Sequence, residues 1–274
     1  MLVSIICLVS AVALSVSSAF TFWKVVNWYD LYRPLVMFIA GYVLGIAISW
    51  IFIDICGRIM GNFKKKYDKP SNFARFLLAN GMYYIWHHAR ARVKRINLDK
   101  IPNEPFLLVC NHKSNFDPMI TSSILSKKHL AFITKRDNMK IPLGGHLMWR
   151  NCYMPVDRED KLQSLEQFKR ATELISSGVT SVGIYPEGTR QKEDVVLGEF
   201  HNGAFNIAIR TGCPIVVMTM TGTSGIHKNF PFKSTKITLK CVQVLYKEDY
   251  EGMNATEISN NVHDIMLNDL QSAQ

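Results

Sequence analysis

Two long apolar runs without a charged side chain open this sequence, and they limit what its N-terminal part can fold into. The runs are Met1 to Trp23 and Leu35 to Ile53. Each is close to the length, roughly 20 residues, that an α-helix needs to cross the hydrocarbon core of a bilayer. A cleaved signal peptide fits poorly, because the first run lacks a basic start and bulky aromatic residues follow its small residues at once. We therefore expect an uncleaved membrane hairpin, with interfacial or re-entrant helices as the alternative.

Positive charge is concentrated just past the second apolar run. The net charge is +10, and between Cys56 and Cys110 eleven Lys or Arg residues stand against three acidic ones. Such charge marks the cytoplasmic end of a membrane segment and is attracted to anionic lipid headgroups. The chain has no RNP, zinc-finger or helix-turn-helix signature, so we expect membrane lipids and no nucleic acid as its partner. The expected location is the membrane, with the large C-terminal part on the cytoplasmic face.

The rest of the chain alternates short apolar runs with helical patterns. The predicted strands are Phe106 to Cys110, His129 to Thr134, Tyr153 to Val156, Thr180 to Tyr185, Pro214 to Met220 and Ile237 to Tyr246. The predicted helices are Phe73 to Val93, Pro118 to Leu125, Ile141 to Trp149, Leu162 to Ser176, Ala204 to Thr211 and Thr256 to Leu270. This alternation predicts an α/β fold with a mostly parallel sheet covered by helices. We divide the chain into a membrane-embedded helical hairpin (1–60), a basic amphipathic interfacial segment (61–100) and an α/β domain (101–274).

Cysteine and histidine spacings give no sign of a metal site. The six cysteines form no CxxC pair and the eight histidines no zinc pattern. We expect no metal, and buried free thiols in a reducing compartment.

A histidine and a carboxylate follow the first predicted strand of the α/β part. His112 could act as a general base, and Asp117 could orient its ring and stabilise the imidazolium. Each residue has a plainer interpretation: a strand-end histidine, and an N-cap before Pro118. Ser114 raises the possibility of a serine hydrolase, but the Gly-x-Ser-x-Gly elbow of those enzymes does not occur here.

A second polar segment, Tyr185 to Arg190, follows another predicted strand. Its Glu187 could orient an arginine or accept a substrate hydroxyl, Gly188 allows close backbone approach, and Arg190 could bind phosphate with two parallel hydrogen bonds. Arg158 and Lys135 also follow predicted strands and are further candidate cations, although a single such residue is more often simply exposed. Because ligands of parallel α/β sheets bind beyond the carboxyl ends of the strands, both segments should share one site.

In this order, these segments resemble the glycerolipid acyltransferase family, which includes the PlsC-type 1-acylglycerol-3-phosphate acyltransferases. The resemblance covers roughly Ile101 to Lys247. The matching blocks are Asn111-His112 to Asp117 (the N-H-x4-D motif), Pro155 to Arg158, Tyr185 to Arg190 and Cys213 to Val216. It implies that His112 is the general base and Asp117 its orienting partner. The residues that it implies in binding the acyl acceptor are Lys135, Arg158, Glu187, Gly188, Thr189 and Arg190.

The family's K-x-E-L stretch, which Lys135 opens, reads Lys-Arg-Asp-Asn here, so its local packing should differ.

The resemblance also implies a reaction. An acyl group would pass from an acyl thioester, acyl-CoA or acyl-carrier protein, to the sn-2 hydroxyl of lysophosphatidic acid, giving phosphatidic acid in phospholipid biosynthesis. No bound cofactor is implied, since the acyl donor is a co-substrate. Two alternatives stay open: an acyltransferase that acts on another acceptor, such as glycerol 3-phosphate or another lysolipid, and a catalytically silent membrane phospholipid-binding protein.

Overall fold

The N-terminal part of the protein is a pair of antiparallel helices. The computed structural model describes residues 2–22, 27–157, 159–192 and 194–272. Helix α1 (Leu2–Ser17) continues into a π-helical turn, and α2 (Tyr32–Met60) follows a short 3-10 turn. By length and composition alone, both helices could cross a membrane.

Small residues form the contact between these two helices. A Cβ atom added to Gly41 would lie 2.6 Å from the Ser10 carbonyl oxygen, and one added to Gly45 would lie 2.6 Å from Cys7 Cα. Glycine at these positions allows the backbones to approach closely, as is common between helices in lipid. The large apolar side chains point outward instead. Those more than half exposed on α2 include Leu35, Val36, Ile39, Val43, Ile51, Ile55 and Ile59.

A seven-stranded sheet forms the centre of the rest of the chain. Its strands are β1 (Ala91–Ile96), β2 (Leu107–Cys110), β3 (Leu130–Lys135), β4 (Met154–Val156), β5 (Ser181–Ile184), β6 (Ile215–Thr221) and β7 (Thr235–Leu245). Their order is β1-β7-β6-β2-β5-β3-β4. Strands β2 to β6 are mutually parallel, whereas β7 is antiparallel to β6 and pairs in parallel with β1. The predicted mostly parallel sheet is therefore confirmed.

Helices cover this sheet and close its core. Helix α6 packs on β4 and β5, and α10 packs on β6 and β7. The core includes Phe106, Phe132 and Ile215, all at most 2% exposed. The helices after β1 are α4 (Phe116–Ile124), α5 (Gly145–Arg150), α6 (Lys161–Ser176), α7 (Asn206–Thr211), α8 (Ile226–Asn229), α9 (Lys247–Tyr250) and α10 (Ala255–Ser272).

One predicted element is wrong at its end. The helix expected over Phe73 to Val93 is α3 (Asn72–His88), and the chain then turns at Arg90, whose φ is +59°. Residues 91–96 form strand β1. The first strand of the sheet is therefore β1, and the strand predicted to begin at Phe106 is the second. The division of the chain at residues 60 and 100 stays a prediction.

Helix α3 determines how the hairpin lies against the sheet. The α3 side chain of Arg75 contacts His129, which precedes β3, whereas the Arg90 carbonyl just past α3 accepts the Thr235 N–H at the start of β7. Thr235 lies beside the end of β6, so α3 runs from the amino edge to the carboxyl edge of the parallel strands. Tyr42 of α2 bonds His88 at the end of α3, with 3.3 Å between Oη and Nε2. Trp50 of α2 packs on Tyr84, one turn earlier in α3, so α2 runs back along α3 and its residues before Tyr42 extend past the carboxyl edge.

Candidate active site

The two polar segments singled out in the sequence meet at the carboxyl edge of neighbouring strands. Strand β2 pairs with β5 so that Val109 lies beside Ile184, the last residue of β5. After β2 the chain continues to β3 and β4 on one side, and after β5 it continues to β6 on the other. Such a reversal of direction opens a crevice at the strand ends, where α/β proteins bind ligands.

His112 and Asp117 are in direct contact there. His112 Nδ1 lies 2.9 Å from Asp117 Oδ2, and the side chains are 18% and 1% exposed. Since the ionised carboxylate can only accept, Nδ1 carries the proton and Nε2 has the free lone pair. Among the described residues, nothing bonds Nε2. The contact predicted from their spacing therefore exists, and the half-buried ring presents a basic nitrogen to the crevice.

The same carboxylate oxygen fixes the backbone of this loop. Asp117 Oδ2 also accepts the Lys113 and Ser114 N–H groups, each at 2.7 Å. Asp117 is not the N-cap of the following helix, because α4 already begins at Phe116. Its carboxylate bonds residues that precede the helix instead. Oδ1 is buried without a partner among the described residues.

Ser114 does not face the histidine as a nucleophile would. It is buried, and its hydroxyl accepts the Phe116 N–H at 3.3 Å.

Glu187 joins three backbone segments beneath the site. Its Oε1 accepts the His112 N–H at 2.6 Å and its Oε2 accepts the Gly198 N–H at 2.9 Å. The side chain is buried, and desolvation raises the pKa of this carboxyl above its usual value, partly opposed by the two N–H donors. Glu187 thus holds the β2 loop, its own loop and the segment at Gly198 together. Its assigned contact with the acyl acceptor stays a prediction.

The loop after β5 closes around the histidine. The Tyr185 ring stacks on the His112 ring with centroids 4.5 Å apart. Gly188 has φ +66°, and a Cβ there would lie 2.7 Å from the His201 ring, so only glycine fits without strain. The Gln191 N–H donates to the His112 carbonyl at 2.9 Å. This bond places the exposed residues Thr189 and Arg190 beside the loop that carries His112.

The other two predicted cations are not equally well defined. Lys135 ends β3 at the same edge, where it is exposed and pairs with Asp137 at 2.6 Å. Lys135 and Lys140 lower the pKa of the Asp137 carboxyl, mainly through hydrogen bonds. Arg158 lies outside the described residues. The structure therefore brings His112, Asp117 and residues 187–190 together, with Lys135 at the periphery.

Two neighbours of His112 hold the site in ways that sequence reasoning missed. Asn111 bonds both backbone groups of Met220, donating at 2.9 Å and accepting at 2.7 Å, and so extends the pairing of β2 with β6. The Lys113 ammonium donates to the carbonyls of Lys192 and Val195 and ties down the segment after Arg190. The sequence signal for Asn111 was its place in the N-H-x4-D motif, and the signal for Lys113 was only its adjacency to His112.

All six cysteines are free, and five are buried. In the part of the chain that the structure describes, no three His, Cys, Asp or Glu side chains are grouped so that they could hold a metal ion. The expectation that the reaction needs no bound cofactor stays a prediction.

Comparison with known proteins places this site in a family. The family model described as acyltransferase matches residues 92–221, which include both polar segments. A chloroplast 1-acyl-sn-glycerol-3-phosphate acyltransferase of Brassica napus is 37% identical over 131 residues, which are 47% of this chain and 37% of that protein. The chain thus matches only about a third of that relative's length. A 1-acyl-sn-glycerol-3-phosphate acyltransferase of Haemophilus influenzae is 25% identical over 81% of this chain and 90% of its own.

A solved structure shows the same fold. The crystal structure of PlsC, the 1-acyl-sn-glycerophosphate acyltransferase of Thermotoga maritima, superposes with a TM-score of 0.62. The superposition covers 85% of this chain and 93% of that one at 21% identity. This chain therefore carries an acyltransferase-family region, residues 92–221, which contains strands β2 to β6 and both segments of the site.

Proposed function

We propose that this protein transfers an acyl group from an acyl thioester to the sn-2 hydroxyl of lysophosphatidic acid, giving phosphatidic acid. The observation that carries the proposal is the contact of His112 with Asp117 beside the loop of Arg190. This arrangement offers a base and a cation at one crevice. Relatives of the chain named for this activity support the choice of acceptor.

The proposed step needs only the histidine and the two substrates. His112 Nε2 takes the hydroxyl proton while the hydroxyl oxygen attacks the thioester carbonyl carbon. The tetrahedral intermediate then collapses, the carbon–sulfur bond breaks, and the imidazolium returns the proton to the leaving thiolate. Asp117 stabilises the imidazolium between these events, because its carboxylate faces Nδ1.

The cations would bind the acceptor and so orient its hydroxyl. Arg190 would hold the phosphate of lysophosphatidic acid with two parallel hydrogen bonds, and Lys135 would add attraction from the periphery. Arg158, Thr189 and the backbone of Gly188 complete the proposed acceptor site. The donor would be acyl-CoA or acyl-carrier protein, both of which are anionic and suit the basic chain.

Membrane attachment through the hairpin is part of the proposal, since acceptor and product both reside in the bilayer. We place Lys66 and the α/β domain on the cytoplasmic face. Single cysteines at Tyr29 and Lys66, in a background without the native six, can be probed on intact cells with an impermeant thiol reagent. Labelling at 29 alone supports a spanning hairpin, labelling at neither supports a re-entrant one, and labelling at 66 alone would invert the proposed orientation.

The direct test of the activity is a substrate panel. Purified protein in detergent is incubated with labelled oleoyl-CoA or oleoyl-acyl-carrier protein and with lysophosphatidic acid, glycerol 3-phosphate or other lysolipids. We expect labelled phosphatidic acid from lysophosphatidic acid. Preferred transfer to another acceptor would reassign the substrate, and no transfer with either donor, despite lysolipid binding, would favour the silent lipid-binding protein.

A further inference from the structure

The segment between β6 and β7 exposes two large aromatic side chains at the carboxyl edge of the sheet. We call residues 222–234 the aromatic loop. Phe230 is 54% exposed and Phe232 is 86% exposed. The loop starts at the end of β6, on the same edge as His112. It also adjoins the catalytic segment, because His227 in the loop packs on Phe116, with ring centroids 5.3 Å apart.

The sequence around these two aromatic residues carries positive charge and no acidic residue. From Thr221 to Leu239 the sequence has three lysines and no Asp or Glu. Lys233 and Lys236 are exposed, and Arg92 on β1 is exposed beside Lys236 in the strand register. Like charges on neighbouring strands repel each other. An anionic partner would relieve this repulsion.

The direction in which the apolar hairpin projects indicates that this anionic partner is a lipid bilayer. The part of α2 before Tyr42 is ten residues long, about 15 Å at 1.5 Å per residue, and it continues beyond the carboxyl edge. The apolar projection therefore leaves the α/β domain on the side where the aromatic loop lies. The hairpin alone does not locate the bilayer surface, since its exposed apolar residues continue to Ile59 at the other end of α2.

Aromatic residues also cluster around the end of α3. Tyr83 stacks on His87, Tyr84 packs on His88, and Tyr42 bonds His88. Tyrosine and tryptophan are enriched where proteins cross the membrane–water interface. This cluster lies at the same edge of the sheet as the aromatic loop.

We propose that the aromatic loop is a second membrane contact, which inserts Phe230 and Phe232 between the headgroups of an anionic bilayer while its lysines contact their phosphates. Exposed aromatic residues flanked by lysines are typical of segments that bind at the lipid interface. Together with the hairpin, the loop turns the edge that carries His112 toward the membrane. A lipid acceptor would then reach the site without leaving the bilayer. The contact itself does not depend on acyl transfer.

The test measures the depth of the loop in liposomes. Phe232→Cys is labelled with the environment-sensitive fluorophore NBD in a Cys56→Ala background, since the other five native thiols are buried. The matched control is Ser177→Cys, at the exposed end of α6 on the amino edge. The labelled proteins are reconstituted in phosphatidylcholine liposomes with and without phosphatidylglycerol. We expect doxyl-labelled lipids to quench NBD at 232 and not at 177.

The charge contribution is tested in the same liposomes. Exchanging Lys233 and Lys236 for glutamine should weaken insertion of the loop about fivefold per lysine in anionic liposomes and little in neutral ones.

Four results would overturn the proposal. In the first, doxyl lipids quench NBD at position 232 no more strongly than NBD at 177. In the second, NBD on Ile59→Cys is quenched while NBD at 232 is not. In the third, NBD at 232 is shielded from water without doxyl quenching, and the shielding increases with protein concentration, which would identify a second copy of the chain as the partner. In the fourth, NBD at 232 is shielded from water only when acyl-carrier protein is added, which would identify a docking surface for the acyl donor. None of these results bears on whether phosphatidic acid forms in detergent.

Discussion

The hairpin and the α/β domain follow opposite rules about what they bury. In the hairpin the buried positions of α2 include Gly41, Gly45 and Ser49, and most of the branched apolar side chains point outward, with Ile53 as a buried exception. In the α/β domain the large side chains fill the core, as Phe106 and Phe132 do. The same apolar residue types thus face outward in one region and inward in the other.

This difference is what the proposed membrane hairpin would require. Burial of large apolar side chains is the main favourable term for a domain in water. In lipid that term is lost, and close backbone packing of small residues takes its place. Charged groups differ as well, because the α/β domain keeps the carboxylates Asp117 and Glu187 buried in hydrogen bonds, whereas Asp54 of α2 pairs with the exposed Arg58.

The largest effect is expected from Asp117→Asn. The asparagine side chain has a neutral amide oxygen in place of the carboxylate. It therefore accepts more weakly from His112 Nδ1 and the two backbone N–H groups, and it has no negative charge to stabilise an imidazolium. Acyl transfer should fall on the order of 10²- to 10⁴-fold. The control is Asp137→Asn, which removes an exposed carboxylate at the same edge and should change the rate only a few-fold. Equal rates for the two variants would take Asp117 out of the mechanism.

Arg190→Lys should have the next largest effect. A lysine ammonium replaces two parallel hydrogen bonds by one point contact, and each such bond to a charged group contributes roughly 1.5–3 kcal/mol. The acceptor kcat/KM should fall about ten- to a hundredfold, with the donor KM nearly unchanged. Lys135→Ala should cost less, because its flexible ammonium adds attraction without fixing geometry.

The control for this series is Arg210→Lys on the exposed end of α7. Kinetics in which acceptor and donor are varied separately decide the matter. A defect confined to the donor would show that these cations bind the donor's phosphates.

Gly45→Leu tests the hairpin side of the comparison and should have the smallest effect on activity. A Cβ at this position meets Cys7 Cα, so the two helices must separate. Overpacking of this kind typically costs about 1–3 kcal/mol of stability. Thermal unfolding in detergent should begin at a lower temperature, with acyl transfer by the remaining folded protein within a few-fold of wild type.

The matched change on the outer face is Val43→Leu, at a position 59% exposed. It should leave the unfolding temperature unchanged. If both variants behaved alike, the small residues would not form the hairpin contact.

Sequence patterns predicted those parts of the fold that depend on local periodicity. Six strands were found from apolar runs, whereas β1 was missed, because its ARVKRI sequence carries three cations and follows a helical pattern without a break. The His112–Asp117 contact was predicted because five residues of spacing can close within one loop. The bonds of Glu187 to Gly198 and of Lys113 to Val195 were not, because they depend on where a loop returns in space.

The most direct test of the account is the rate of acyl transfer when His112 loses its basic nitrogen. His112→Ala and His112→Gln are compared with wild type in the same detergent, with oleoyl-CoA and lysophosphatidic acid as substrates. Glutamine can still donate a hydrogen bond to Asp117 but cannot take a proton. We predict that both variants fold and lose activity on the order of 10²- to 10⁴-fold. Activity of either variant within a few-fold of wild type would contradict a general base at His112.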